Sequence, residues 1–124
     1  MPKLCVLWVL SLFCVSVVAA SSTDISQQAL LKATSTNLVI VDVRTPEEFM
    51  QGHVPNAINI PLNDIINNAS ILASSKEKQL VLYCRSGRRA GKAADILSKS
   101  GFEHIQHLEG DMNAWLEADL PIEK

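Results

Sequence analysis

Two stretches of the chain are apolar without alternation. Leu38-Val39-Ile40-Val41-Asp42-Val43 and Gln79-Leu80-Val81-Leu82-Tyr83 carry β-branched or large aliphatic residues at nearly every position. Such runs suit strands buried on both faces, the habit of parallel sheets. Around them the period lengthens to that of amphipathic helices. Asp24 is placed to cap a helix over Ile25–Ala33, with Ile25, Ala29, Leu30 and Ala33 on its apolar side. Thr45 can cap a short helix with Pro46 in its first position, Glu47 and Glu48 in its first turn and Gly52 at its end. Ala57–Ile60 reads as a short strand closed by Pro61, and Leu62–Leu72 as a helix. Ala90–Ser100 is an amphipathic helix stopped by Gly101; His104–Leu108 is a last strand and Met112–Ala118 a last helix carrying Trp115. Strands alternating with helices predict an α/β domain with a mostly parallel sheet and right-handed crossovers. In such sheets a site lies beyond the C-terminal ends of the strands. Cys84 directly follows the second buried run, and Arg44 follows the first.

The N-terminus departs from this pattern. After Lys3, Leu4–Val18 is apolar except for Ser11 and Ser16, and Val18-Ala19-Ala20 supplies small residues for a signal peptidase. Residues 1–20 therefore read as a secretory signal peptide, cleaved after Ala19 or Ala20. The run of about 15 residues falls short of the roughly 20 that span a bilayer; an uncleaved anchor is the alternative. The expectation is an exported domain over residues 21–124, periplasmic in a Gram-negative source and off the membrane after cleavage. Removing 20 of 124 residues leaves 104, with a charge balance of 10 − 13 = −3 in place of −2. No basic field invites nucleic acid. Of the three cysteines, Cys5 and Cys14 leave with the signal and Cys84 stays alone. An intramolecular disulfide is then impossible, and a single thiol in an oxidising compartment is a candidate for chemistry.

Its neighbours strengthen that reading. The segment is Cys84-Arg85-Ser86-Gly87-Arg88-Arg89-Ala90. A free thiol ionises near pH 8.5, and helix N-termini and nearby Arg favour the reactive thiolate. The turn into the following helix has N–H groups without intrahelical partners. A loop wrapped around Cys84 would aim them at the sulfur as an anion cradle. Gly87 gives that loop its freedom, Ser86 adds a hydroxyl, and Arg85, Arg88 and Arg89 are permanent cations that attract a small oxyanion. The alternative is a buried structural Cys followed by a solvated basic turn.

At this point the chain resembles a single-domain rhodanese, a sulfurtransferase. Cys84–Arg89 resembles the family's active loop. Val41-Asp42-Val43-Arg44 through Glu48-Phe49, Gly52-His53-Val54 and Ala57-Ile58-Asn59-Ile60-Pro61 matches its first signature, and Leu108-Glu109-Gly110-Asp111 with Trp115 and Leu120-Pro121 its last. With an export signal it is similar to the small periplasmic sulfurtransferases of the phage-shock-protein E type. Two departures are visible. Asn56 stands where Gly is frequent, and Asp111 replaces the second Gly of a usual pair; both are expected to lie away from the loop and to touch only turn geometry.

The resemblance implies a mostly parallel sheet of about five strands flanked by helices on both faces. It implies transfer of the outer sulfur of thiosulfate, or a related anionic donor, to cyanide, a thiol or a partner protein's thiol. Cys84 would carry a persulfide held by the loop, with no metal or organic cofactor, in a monomer or weak dimer. Arg44 is grouped with Arg85, Ser86, Gly87, Arg88 and Arg89 as donor-binding, although it can equally pair with Asp42, Glu47 or Glu48 as scaffold. Asp42 reads as structural, and Trp115 and Tyr83 as packing. His53, His104 and His107 show no metal spacing and read as local hydrogen bonds or solvated faces.

Other functions are weighed against this one. Relatives acting on phosphate or arsenate use a loop one residue longer, with Arg where this chain has Ala90. A non-enzymatic module would be expected to lack the Cys. A dithiol redox cycle would need a resolving partner that the mature chain does not have.

Overall fold

The computed structural model describes residues 23–33 and 36–124. The signal peptide read over residues 1–20 lies outside them. Among the described residues no helix is long and apolar enough to cross a membrane.

Five parallel strands form one sheet: β1 (Thr23–Ile25), β2 (Leu38–Asp42), β3 (Ile58–Asn59), β4 (Gln79–Tyr83) and β5 (Ile105–Leu108), in the order β1-β5-β4-β2-β3. The two apolar runs are the neighbours β2 and β4, with Asp42 opposite Tyr83. Each is buried on both faces because helices cover both sides. Leu80, Leu82 and Cys84 point into one core with Val41, Val43 and the helix residues Ala90, Ala93 and Leu97. Val81 and Tyr83 point into the other, with Leu30, Met112 and Trp115. This is the period of two that pleating imposes.

The helices are α1 (Gln27–Lys32), α2 (Pro46–Gln51), α3 (Leu62–Asn67), α4 (Arg88–Lys99) and α5 (Asp111–Glu117). Three boundaries differ from the sequence reading by two residues or more, each for a local reason. Asp24 and Ile25 belong to strand β1, and Ser26 caps α1 by accepting the Ala29 N–H at 3.1 Å. The helix expected to run to Leu72 stops at Asn67. There Asn68 leaves helical geometry, accepts the Ser70 N–H and starts a 3₁₀ segment, Ala69–Ser75, a competition with the helix ladder typical of Asn. Helix α4 begins two residues before Ala90, at Arg88, with Gly87 as N-cap at φ 109. Glycine alone adopts that angle cheaply, and the early start brings the positive end of a 12-residue helix to the end of β4. The predicted Thr45 cap is a full capping box with Glu48.

Candidate active site

β4 lies inside the sheet, between β2 and β5. Its continuation, Cys84, therefore emerges between two strand ends. The residue is 1% exposed. Its Sγ accepts the Gly87 N–H at 3.0 Å. A tight loop closed by a left-handed glycine thus turns one backbone donor onto the thiol at the N-terminus of α4. Of the N–H groups expected to cradle the sulfur, the Gly87 N–H is at hydrogen-bond distance in this state of the loop. Arg85, Ser86 and Arg88 are exposed around it.

The three loop arginines differ in their engagement. Arg89 donates to both carboxylate oxygens of Glu48, at 2.6 and 3.1 Å, and ties α4 to α2. The same Glu48 receives Thr45 in the capping box. The Arg89 hydrogen bond leads the effects that carry the Glu48 carboxyl down to about 2, against a burial that alone would raise it. Arg85 and Arg88 enter no ion pair or side-chain hydrogen bond among the described residues.

Arg44, grouped with the donor-binding residues, has its guanidinium engaged by the scaffold. Nε lies 3.0 and 3.1 Å from the two Asp42 oxygens, and Nη2 lies 2.8 Å from Asp42 Oδ2 and 2.8 Å from the Gly52 carbonyl. Both side chains are buried, Asp42 completely. Burial works against the Arg44 charge, and the hydrogen bond and charge of Asp42 outweigh it, so its pKa is raised. Asp42 Oδ1 also accepts the Arg44 backbone N–H at 2.9 Å. Of the two roles open to Arg44, the scaffold role is the one whose partners are in place. Tyr83 packs on the opposite face from Cys84. Its hydroxyl accepts the Val54 N–H at 3.1 Å, and burial pushes its pKa well up.

One correction concerns Asp111. The residue was expected away from the loop and is part of its foundation. Its buried Oδ1 accepts the Cys84 N–H at 3.0 Å. The next two N–H groups of α5 also hold the loop: Met112 donates to the Cys84 carbonyl at 3.0 Å and Asn113 to the Arg85 carbonyl at 3.1 Å. Three successive residues of α5 thus fix the first two residues of the loop. His107 Nε2 lies 2.8 Å from the same Asp111 oxygen, and the hydrogen bond and charge of Asp111 raise its pKa. Asp111 was visible in the sequence as a departure from the Gly-Gly pattern. Nothing in the spacing reported that β5 and α5 meet beneath Cys84.

The site is thus a buried thiol at a strand end, with one backbone donor on its sulfur, a helix N-terminus beside it and, outside it, two arginines without an ion pair among the described residues. The Rhodanese-like domain model matches residues 26–118, and the chain belongs to that family. It is 39% identical over 70 residues to the thiosulfate sulfurtransferase PspE of Escherichia coli, covering 56% of this chain and 67% of that protein. It is 36% identical over 90 residues to a sulfurtransferase of Allochromatium vinosum, 73% of this chain and 82% of that one. A similar match, to an uncharacterized Synechocystis protein, spans 48% of that protein's length. The crystal structure of a rhodanese-related protein from Thermoplasma volcanium superposes with a TM-score of 0.72 at 29% identity, over 82% of this chain and 97% of that one. At the level of the family, the chain is a rhodanese-type sulfurtransferase.

Proposed function

We propose that the protein is a thiosulfate sulfurtransferase working through a persulfide on Cys84. The observation that carries this reading is the Gly87 N–H directed at Cys84 Sγ from the N-terminus of α4. The Cys84 thiolate attacks the outer sulfur of thiosulfate. A Cys84 S–S bond forms, the sulfur–sulfite bond breaks, and sulfite leaves with the electron pair. Cyanide or a thiolate then attacks the outer sulfur of the persulfide and restores the Cys84 thiolate. The reaction is covalent catalysis in two steps, and the loop donor together with the α4 dipole stabilises the anionic sulfur in each. Arg85 and Arg88 draw in the donor anion. The loop ends at Arg89, one residue short of a loop with Arg at position 90, and this favours a single sulfur over a tetrahedral phosphate centre. We further propose that the domain acts after export, in the periplasm of a Gram-negative source.

Intact mass tests the cycle. Thiosulfate adds one sulfur atom to the protein, the increment maps to Cys84, and cyanide removes it with release of thiocyanate. A reduced, accessible Cys84 that gains no sulfur, with turnover of a phosphate or arsenate substrate, overturns the reading.

A further inference from the structure

Behind the loop stand two side chains that the sulfur-transfer steps do not use. Asp111 is 1% exposed. Its Oδ1 binds both the Cys84 N–H, at 3.0 Å, and His107 Nε2, at 2.8 Å. Its Oδ2 lies against Gly87: a Cβ at that residue would stand 3.0 Å from Oδ2 and 3.4 Å from His107 Cε1. Gly87 is the residue whose N–H reaches the sulfur. One carboxylate and one imidazole therefore back both the residue that carries sulfur and the residue that donates to it. On the other side of the ring, Asp24 Oδ1 of β1 stands 3.7 Å from His107 Nδ1. Among the described residues, Asp24 from β1 and Asp111 from α5 are the charged groups that face His107. From β4 it meets Leu82, its partner in the sheet, and from the loop Gly87.

We propose that Asp111 and His107 form a positioning pair for Cys84: Asp111 fixes the nucleophile's backbone, and protonated His107 cancels the charge that this carboxylate would otherwise set against the thiolate. The inference rests on Cys84 being the reactive thiol. A carboxylate is a strong acceptor for a backbone N–H. An uncompensated buried anion within a few ångströms opposes a second negative charge. The imidazolium resolves that conflict, and Asp111 itself keeps His107 protonated over a wider pH range by raising its pKa. Asp111 also holds φ 54, a left-handed angle that glycine adopts more cheaply.

The test is the rate of Cys84 alkylation by iodoacetamide against pH, read by intact mass. The proteins are the wild type, His107→Gln, Asp111→Asn and the double variant. His107→Gln keeps a donor towards Asp111 and removes only the charge. Its alkylation midpoint moves up by about one pH unit, about ten-fold slower reaction on the rising limb, the effect of one uncompensated charge at short range. Asp111→Asn keeps an acceptor for the Cys84 N–H, so the double variant returns to the wild-type profile. A His107→Gln profile that superimposes on the wild type overturns the pair, as does an equal shift in the double variant. If Asp111→Asn does not fold, His107→Gln alone decides. Alkylation uses no sulfur donor, so failure of the sulfurtransferase reading and failure of this pair are separately visible.

Discussion

β2 and β5 flank β4 in the sheet, and on each side a buried carboxylate meets a basic side chain. On the β2 side, Asp42 and Arg44 form a closed unit: side chain to side chain, side chain to backbone N–H, and Arg44 onward to the Gly52 carbonyl. A guanidinium does not titrate in a protein, so this pair shapes the end of β2 at any working pH. On the β5 side, Asp111 spends one oxygen on the backbone of Cys84 itself and meets an imidazole that does titrate. The permanent pair builds the wall of the site. The adjustable pair holds the backbone of Cys84. A carboxylate beside a strand end is thus no guide to its role; what decides is whether its partner can lose charge and which backbone group it holds.

The largest effect separates both pairs from the chemistry. Cys84→Ser abolishes sulfur transfer while leaving the two carboxylate pairs in place, because a hydroxyl carries no persulfide; thiocyanate release near the wild-type rate would remove Cys84 from the mechanism. Next comes the contrast in stability. Arg44→Ala leaves Asp42 as a buried, uncompensated anion and costs about 3–5 kcal/mol in denaturant unfolding. His107→Gln keeps a donor and a half-buried site, and costs about 1 kcal/mol. Equal losses would break the distinction between wall and adjustable pair.

The pairs also differ in pH response. His107 has a raised folded pKa, so the stability it contributes is complete below its ordinary value of 6.5 and is lost as pH rises through the folded value. His107→Gln flattens that alkaline decline in denaturant midpoints, whereas no such decline arises from the guanidinium of Arg44. A third contrast concerns the arginines outside the wall. Arg88 is exposed and unpaired, and Arg88→Ala raises KM for thiosulfate about ten-fold, one charge-assisted contact, with an unchanged melting temperature. A lowered melting temperature with unaltered KM would make Arg88 structural.

Most of the fold was legible in the chain, because the two apolar runs and the 3.6-residue periods are local signals. The match of Cys84–Arg89 to a known loop singled out Cys84, whose sulfur meets the Gly87 N–H at the end of β4. What was hidden was set by contacts between distant segments. β1 is three residues long and is a strand only because β5 pairs with it; alone, Asp24 and Ile25 look like a helix start. Asn68 ends α3 through its own side chain, a choice that an apolar period cannot announce. Arg44 offered two roles, and the partners of the scaffold one, Asp42 and Gly52, come from distant or folded-back positions that spacing does not announce. Asp111 was the sharpest case. As a departure from a Gly-Gly pattern it pointed to turn geometry, and its reach to Cys84 spans 27 positions of chain.

The smallest expected effect tests whether Arg89 belongs to the wall or to the mouth. Glu48 accepts a hydrogen bond from each of the two terminal nitrogens of Arg89 and so neutralises one of the three loop cations. Glu48→Gln leaves an amide that can still accept one hydrogen bond, and restores a net positive charge beside the thiol. KM for thiosulfate falls about two-fold at low salt, and the gain vanishes as ionic strength rises, because a partly exposed charge is screened. Acid unfolding supplies the control. Glu48 has a depressed pKa, so its contribution is complete above its ordinary value of 4.5 and is lost as pH falls towards about 2; Glu48→Gln loses that acid dependence. A variant with the flattened acid limb but no salt-sensitive fall in KM places Arg89 with Arg44, as a residue that holds the site's shape and lends no charge to the donor.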